Sequence, residues 1–210
     1  MKYSNQQAHS KIIDEFLTYL NKQSSYFVLK GGTALCKFYK NPRFSEDIDL
    51  DSPKGNLSNI VKNFCLTFRY SAPVEKKDTT NGQRFMIDYG IKDQKLKIET
   101  SHRFQTIDPK QVKVIDGVRV YTISSLAVSK LHAYIDRDKI RDLYDLTFII
   151  NNYWHELNEI IRSSIIDGFR EKDLANQYDI VVQQDDPLIN KKELEHNVLI
   201  ALEKIGLIKN

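Results

Sequence analysis

The sequence predicts an α+β fold, a mixed sheet with flanking helices followed by a C-terminal helical bundle. Three observations carry this expectation. Segments that alternate apolar and polar residues crowd between residues 67 and 123. Asp116-Gly117 stands between two of them, Val112–Ile115 and Val118–Ile123, as a strong two-residue hairpin signal. From Ser124 onward the apolar period becomes helical almost to the end. Sheet first and helices second suggests two domains, 1–123 and 124–210.

The elements follow in order. Residues 7–21 place Ile12, Ile13, Phe16, Leu17 and Leu20 on one stripe and predict an amphipathic helix. Tyr26 to Leu29 is a short apolar run stopped by Gly31-Gly32, the pattern of a buried strand ending in a tight turn. Thr33 is placed to cap a short helix carrying Ala34, Leu35 and Phe38, which Asn41-Pro42 closes. Residues 46–51 alternate acid and aliphatic and predict a strand, and 57–65 predict a helix. Thr67–Ser71, Arg84–Tyr89 and Lys95–Thr100 predict strands before the hairpin. Helices are predicted over 124–136, 139–152, 155–167, 169–177 and 190–205.

Composition narrows the function. Of 210 residues, 41% are hydrophobic and 28% charged, ordinary values for a globular chain. The formal charge of +3 is far too small for a DNA-wrapping protein, although 31 basic residues can still form a local groove. The sequence has no membrane-length apolar run, and its first residues lack the apolar core of a signal peptide. Cys36 and Cys65 make neither a disulfide framework nor a zinc pattern, so a reducing cytoplasm is the expected setting.

The most informative stretch is Lys30-Gly31-Gly32-Thr33-Ala34-Leu35, followed by Arg43-Phe44-Ser45-Glu46-Asp47-Ile48-Asp49-Leu50. In a strand Asp47 and Asp49 point to one side, about 7 Å apart at Cα, while Ile48 and Leu50 point into a core. Two such charges repel by about 4 kcal/mol at about 4 Å and an effective dielectric of about 20. A divalent cation offsets that, and hard oxygen ligands suit Mg²⁺ or Mn²⁺. Asp-x-Asp alone also fits the solvated face of an edge strand. An EF-hand is excluded, because Ser52 stands where that loop needs Gly and Ser58 where it needs Glu. The upstream turn shifts the balance. Gly31-Gly32 lets backbone approach a ligand, and the N–H groups of a helix opened by Thr33 favour phosphate. A phosphate cradle followed by paired metal carboxylates is the equipment of nucleotidyl transfer. Neither a Walker loop nor a dinucleotide fingerprint is present.

These residues resemble the first motif of the AbiEii/AbiGii-type toxin nucleotidyltransferases, members of the DNA polymerase β-like superfamily. The superfamily's usual Gly-Ser is Gly32-Thr33 here, a mild departure. Ser129-Lys130-Leu131, followed by Arg137-Asp138-Lys139-Ile140-Arg141-Asp142-Leu143-Tyr144-Asp145-Leu146, is similar to the family's downstream signature. On spacing alone that helix face reads as an exposed face laced by surface ion pairs.

The resemblance implies a nucleotidyltransferase-like fold and roles for particular residues. Asp47, Asp49 and Glu99 would hold Mg²⁺ or Mn²⁺, with Asp88 the alternative third acid. Gly31, Gly32, Thr33, Ser45, Lys130 and Arg141 would bind the nucleoside triphosphate. Lys130 and Asp142 would take part in catalysis, Asp142 by orienting Lys130, Arg141 or the nucleotide. Asp145, beside Leu143, Tyr144 and Leu146, reads as structural. The resemblance also implies a tRNA 3′ end or another RNA as acceptor, and a cognate antitoxin as partner. A protein or small-molecule acceptor, or a nucleotide-binding regulator without turnover, are the competing readings.

Overall fold

The computed structural model describes residues 2–53, 55–172 and 183–209. The chain forms two compact units. The first comprises Met1–Phe38 and Ser45–Tyr121, the second Tyr39–Phe44 and Thr122–Asn210. Residues 39–44 therefore leave the first unit and join the second.

The first unit is built on a seven-stranded mixed sheet in the order β3-β4-β5-β2-β1-β7-β6. Its strands are β1 (Val28–Lys30), β2 (Asp47–Asp51), β3 (Val74–Thr79), β4 (Gly82–Ile87), β5 (Leu96–Ser101), β6 (Val112–Ile115) and β7 (Val118–Tyr121). β2 runs parallel to β5 and antiparallel to β1, and β1 runs parallel to β7. Side-chain alternation divides the sheet sharply. Ile48, Leu50, Phe85, Ile87, Leu96 and Ile98 are buried on one face. Helices α1 (Lys2–Gln23) and α3 (Ser58–Phe68) pack against the sheet and add Ile12, Ile13, Phe16, Leu17, Val61 and Phe64 to this core. The opposite face carries the charged partners of those strands. α2 (Gly31–Phe38) follows β1 directly and packs on β1, β2 and β7.

One predicted strand fails in this unit and an unpredicted one forms. The strand predicted at 67–71 does not form: α3 runs to Phe68 and Arg69 ends it in the left-handed conformation. The alternation there reflects an aromatic cluster instead, with Phe68 and Tyr70 stacked at 6.2 Å and both beside Phe64. The strand that does form, β3, has every residue exposed, so it has no apolar rhythm to read. The hairpin forms as expected. Asp116 and Gly117 adopt φ of 51° and 78° between the paired Ile115 and Val118, the double positive-φ turn that suits strand twist.

The second unit is helical: α4 (Ile123–Asp136), α5 (Ile140–Tyr153), α6 (Glu159–Glu171) and α7 (Lys191–Lys204). α5 packs against both α4 and α7, and α6 against α4. Side chains of Thr122, Asn158 and Asn190 cap α4, α6 and α7. Trp154–Glu156 is a short 3₁₀ turn, so the helix predicted at 155–167 begins later, at Glu159. Of the helix predicted at 169–177, residues 173–177 lie outside the described residues. Among the described residues, no helix is long and apolar enough to cross a membrane.

Candidate active site

The acid pair sits at the middle of the sheet. Register pairs Asp47 with Lys97 and Asp49 with Glu99 across β2 and β5, and Glu99 with Arg84 across β5 and β4. On the other side Asp49 pairs with Lys30 of β1. Paired residues share a face, so Asp47, Asp49, Glu99, Lys97, Arg84 and Lys30 all lie on the polar side of the sheet. Alternation predicted this for the two aspartates.

Gly31 explains how α2 meets this surface. Its φ is 74°, and a Cβ there would stand 2.9 Å from Asp49 Oδ2. Only glycine both adopts that conformation cheaply and leaves room for the carboxylate. Gly32 follows it as the second residue of α2. Thr33 lies inside the first turn, so it does not cap the helix from outside as predicted. Its buried hydroxyl donates to the main-chain oxygen of Asp47 and lies 2.9 Å from Ser45 Oγ. Thr33 thereby ties the start of β2 to the start of α2, and Ser45 is held beside both.

The electrostatics of the acids differ. Burial raises the pKa of Asp49, and the neighbouring Asp47 charge adds to this against the pull of Lys97 and Lys30. Glu99 lies below its ordinary range although burial opposes this, because Arg84 grips it with Nε at 3.1 Å and Nη2 at 2.9 Å. Lys97 Nζ stands 2.7 Å from Asp47 and 3.9 Å from Glu99. Lys30 is engaged by buried Asp51 at 2.5 Å, and Asp51 also accepts from Tyr121 Oη at 3.0 Å. Asp88 is an exposed turn residue that accepts from the Gly90 N–H.

Among the described residues no three acid, His or Cys side chains converge closely enough to enclose an ion. The donor chemistry nevertheless fits a hard divalent cation. Two carboxylates stand side by side on one strand, and burial together with the neighbouring Asp47 charge works against the ionisation of Asp49. Asp47 and Asp49 are the residues that would hold such an ion, and Glu99 is turned toward Arg84.

The downstream motif lies in the second unit. Lys130 of α4 is only 8% exposed, with Nζ 2.6 Å from Asp145 and 3.6 Å from Asp142. Asp142 is also held by Arg137, at 2.7 Å and 3.1 Å. Arg141 pairs with Asp186 through Nε and Nη2. Asp145 is fully buried and is the hub of the cluster. It accepts from Asn41 Nδ2 at 2.8 Å and from Arg43 Nε and Nη2 at 3.0 and 2.8 Å. Burial opposes its ionisation, but Lys130 and Arg43 hold its pKa below the usual carboxylate range. From sequence Asn41 reads only as a helix stop, and Arg43 has no role of its own. The available signal was that Arg43 belongs to the same motif as Ser45, Asp47 and Asp49.

The model of the AbiEii family, nucleotidyl transferase toxins of type IV toxin–antitoxin systems, matches residues 15–197. The chain belongs to the AbiEii family. It is therefore a nucleotidyltransferase, and the family's setting implies a nucleoside triphosphate substrate and an antitoxin partner. Solved structures agree with this. JHP933 from Helicobacter pylori superposes with a TM-score of 0.80 at 29% identity, over 97% of this chain and 92% of that one. A candidate nucleotidyltransferase from H. pylori superposes with a TM-score of 0.77 at 28% identity, over 98% and 99% of the two chains. Among curated proteins none matches the sequence. The likeness to AbiEii enzymes thus covers both units, and the sheet seen here is the nucleotidyltransferase-like one that the motifs implied.

Proposed function

We propose that this AbiEii enzyme transfers a nucleoside monophosphate from a triphosphate to an acceptor hydroxyl, and that the acceptor is RNA, a tRNA 3′ end in the first instance. The observation that carries the reading is the close seat of Gly31 against Asp49. It brings the start of α2, whose N–H groups suit phosphate, up to the paired acids of β2. Mg²⁺ or Mn²⁺ held by Asp47 and Asp49 would supply the positive charge that transfer at the α-phosphate needs.

The chain's own residues do the rest. The main-chain N–H groups of Gly31 and Gly32 and the hydroxyl of Ser45 bind phosphate oxygens. Thr33, buried, holds Ser45 and Asp47 in place for this. Glu99 acts through its charge, since Arg84 grips its carboxylate through two hydrogen bonds and lowers its basicity. Lys130, Asp142 and Arg141, the downstream residues of the family motif, shape the second unit through the pairs described above. An NTP substrate and an RNA acceptor set the reaction in the cytoplasm.

The test is incubation of the protein with labelled nucleotides, Mg²⁺ and total RNA. Wild type should label RNA, and Asp49→Ala should not. Equal labelling by Asp49→Ala would overturn the assignment of the acid pair. Label appearing only in protein or small molecules would overturn the RNA acceptor.

A further inference from the structure

A parallel register places Lys97 directly beside Asp47 on the polar face of the sheet. Its ammonium lies 2.7 Å from Asp47 and 3.9 Å from Glu99, and both Asp47 and Asp49 interact with it electrostatically. Its side chain is largely covered, at 29% exposure. Among the described residues it is the cation in direct contact with Asp47, and the charges of Asp49 and Glu99 also act on it. The other two basic residues of the row are committed elsewhere. Arg84 is locked to Glu99 by two parallel hydrogen bonds, a geometry that suits its rigid fork. Lys30 is drawn to Asp51, which Tyr121 also holds.

The chemistry of the two cation types separates their roles. A guanidinium in a two-point pair is fixed in direction. An ammonium is a compact, strongly hydrated point charge on a flexible stem, and it exchanges partners readily. We propose that Lys97 is the resident counter-cation of the Asp47–Asp49 pair, and that a divalent ion binds there by displacing its ammonium. Lys97 is thus a positioning residue: it holds the two carboxylates together before metal arrives, and it sets the metal concentration at which the site fills. This rests on the assignment of Asp47 and Asp49 as metal ligands.

Mn²⁺ titrated alone into the full-length protein, followed by electron paramagnetic resonance of the free ion, tests the proposal without turnover. Lys97→Met removes the competing charge and keeps the stem. It should bind Mn²⁺ about five- to tenfold more tightly than wild type. Lys97→Arg should bind no more tightly than wild type. In EDTA, Lys97→Met should melt at a lower temperature than wild type, and Mn²⁺ should raise its melting point by more. Should Lys97→Met fail to fold, Lys97→Gln makes the same comparison. Affinity in the neutral variants equal to or weaker than wild type overturns the proposal. Asp49→Asn distinguishes this from failure of the site assignment. Equal Mn²⁺ binding by Asp49→Asn and wild type, or none by wild type, overturns the metal site itself and the proposal with it.

Discussion

Burial and the Asp47 charge set Asp49 against its own ionisation, and this has a measurable consequence. An acid whose folded pKa lies above its unfolded value gives its full contribution to stability at low pH. That contribution is lost as pH rises through the raised value. At pH 7 Asp49 therefore weakens the metal-free fold. Asp49→Asn should melt above wild type in EDTA at pH 7, by about 2–4 °C for each kcal/mol regained. The gain should shrink toward pH 4, and saturating Mn²⁺ should reverse the order by stabilising wild type alone. Gly31 offers a second check at this scale. Gly31→Ala meets both the left-handed backbone and the 2.9 Å approach to Asp49. The backbone alone should cost about 1–2 kcal/mol in urea unfolding, and label transfer should fall further as the carboxylate moves aside. The two aspartates were legible because strand alternation is rigid. The partner of Glu99 was not, because nothing local to Glu99 announces an arginine on a neighbouring strand.

Elements were legible in proportion to how much apolar surface they bury. α1 shows a clean stripe because one side of it lies in the core. β3 shows none because it is an exposed edge, with Lys76 and Lys77 in its middle. Charged edges of this kind discourage pairing with other chains, at the cost of being invisible to a periodicity argument. α3 was cut short in the sequence reading because Phe68 and Tyr70 alternate like strand residues, while the aromatic cluster they join decides their conformation. Capping is the local signal that marks the passage into α4. Thr122 Oγ1 accepts from Ser125 N–H and lies 3.0 Å from Ser125 Oγ. Thr122→Ala should cost about 1 kcal/mol, read as a lower urea midpoint, and Thr122→Ser should recover most of it.

For the molecule as a whole, the organising feature is the passage of residues 39–44 through the second unit on the way to the acid strand. Arg43 and Asp145 are 102 positions apart, so no window of sequence relates them. Each belongs to one of the two motifs singled out in the sequence, and the buried pair joins those motifs. Asp145 is completely enclosed, and its four polar contacts come from Asn41, Arg43 and Lys130. A pair this deep gains little over an apolar replacement of both partners, but removing one partner strands the other's charge. That typically costs about 3–5 kcal/mol. Asp145→Ala should therefore be among the most destabilising single changes in the chain, since it removes the carboxylate that Arg43 grips and, among the described residues, leaves Lys130 the more distant Asp142. Because the folded pKa of Asp145 is depressed, its contribution is present above the ordinary carboxylate range and is lost as pH falls through the folded value. Wild type should thus lose stability on acidification below about pH 4, and Asp145→Asn should lose less over the same interval. Chemical denaturation of both proteins between neutral and acid pH decides it. Parallel loss in the two would show that Asp145 is not the group that couples this fold to protons.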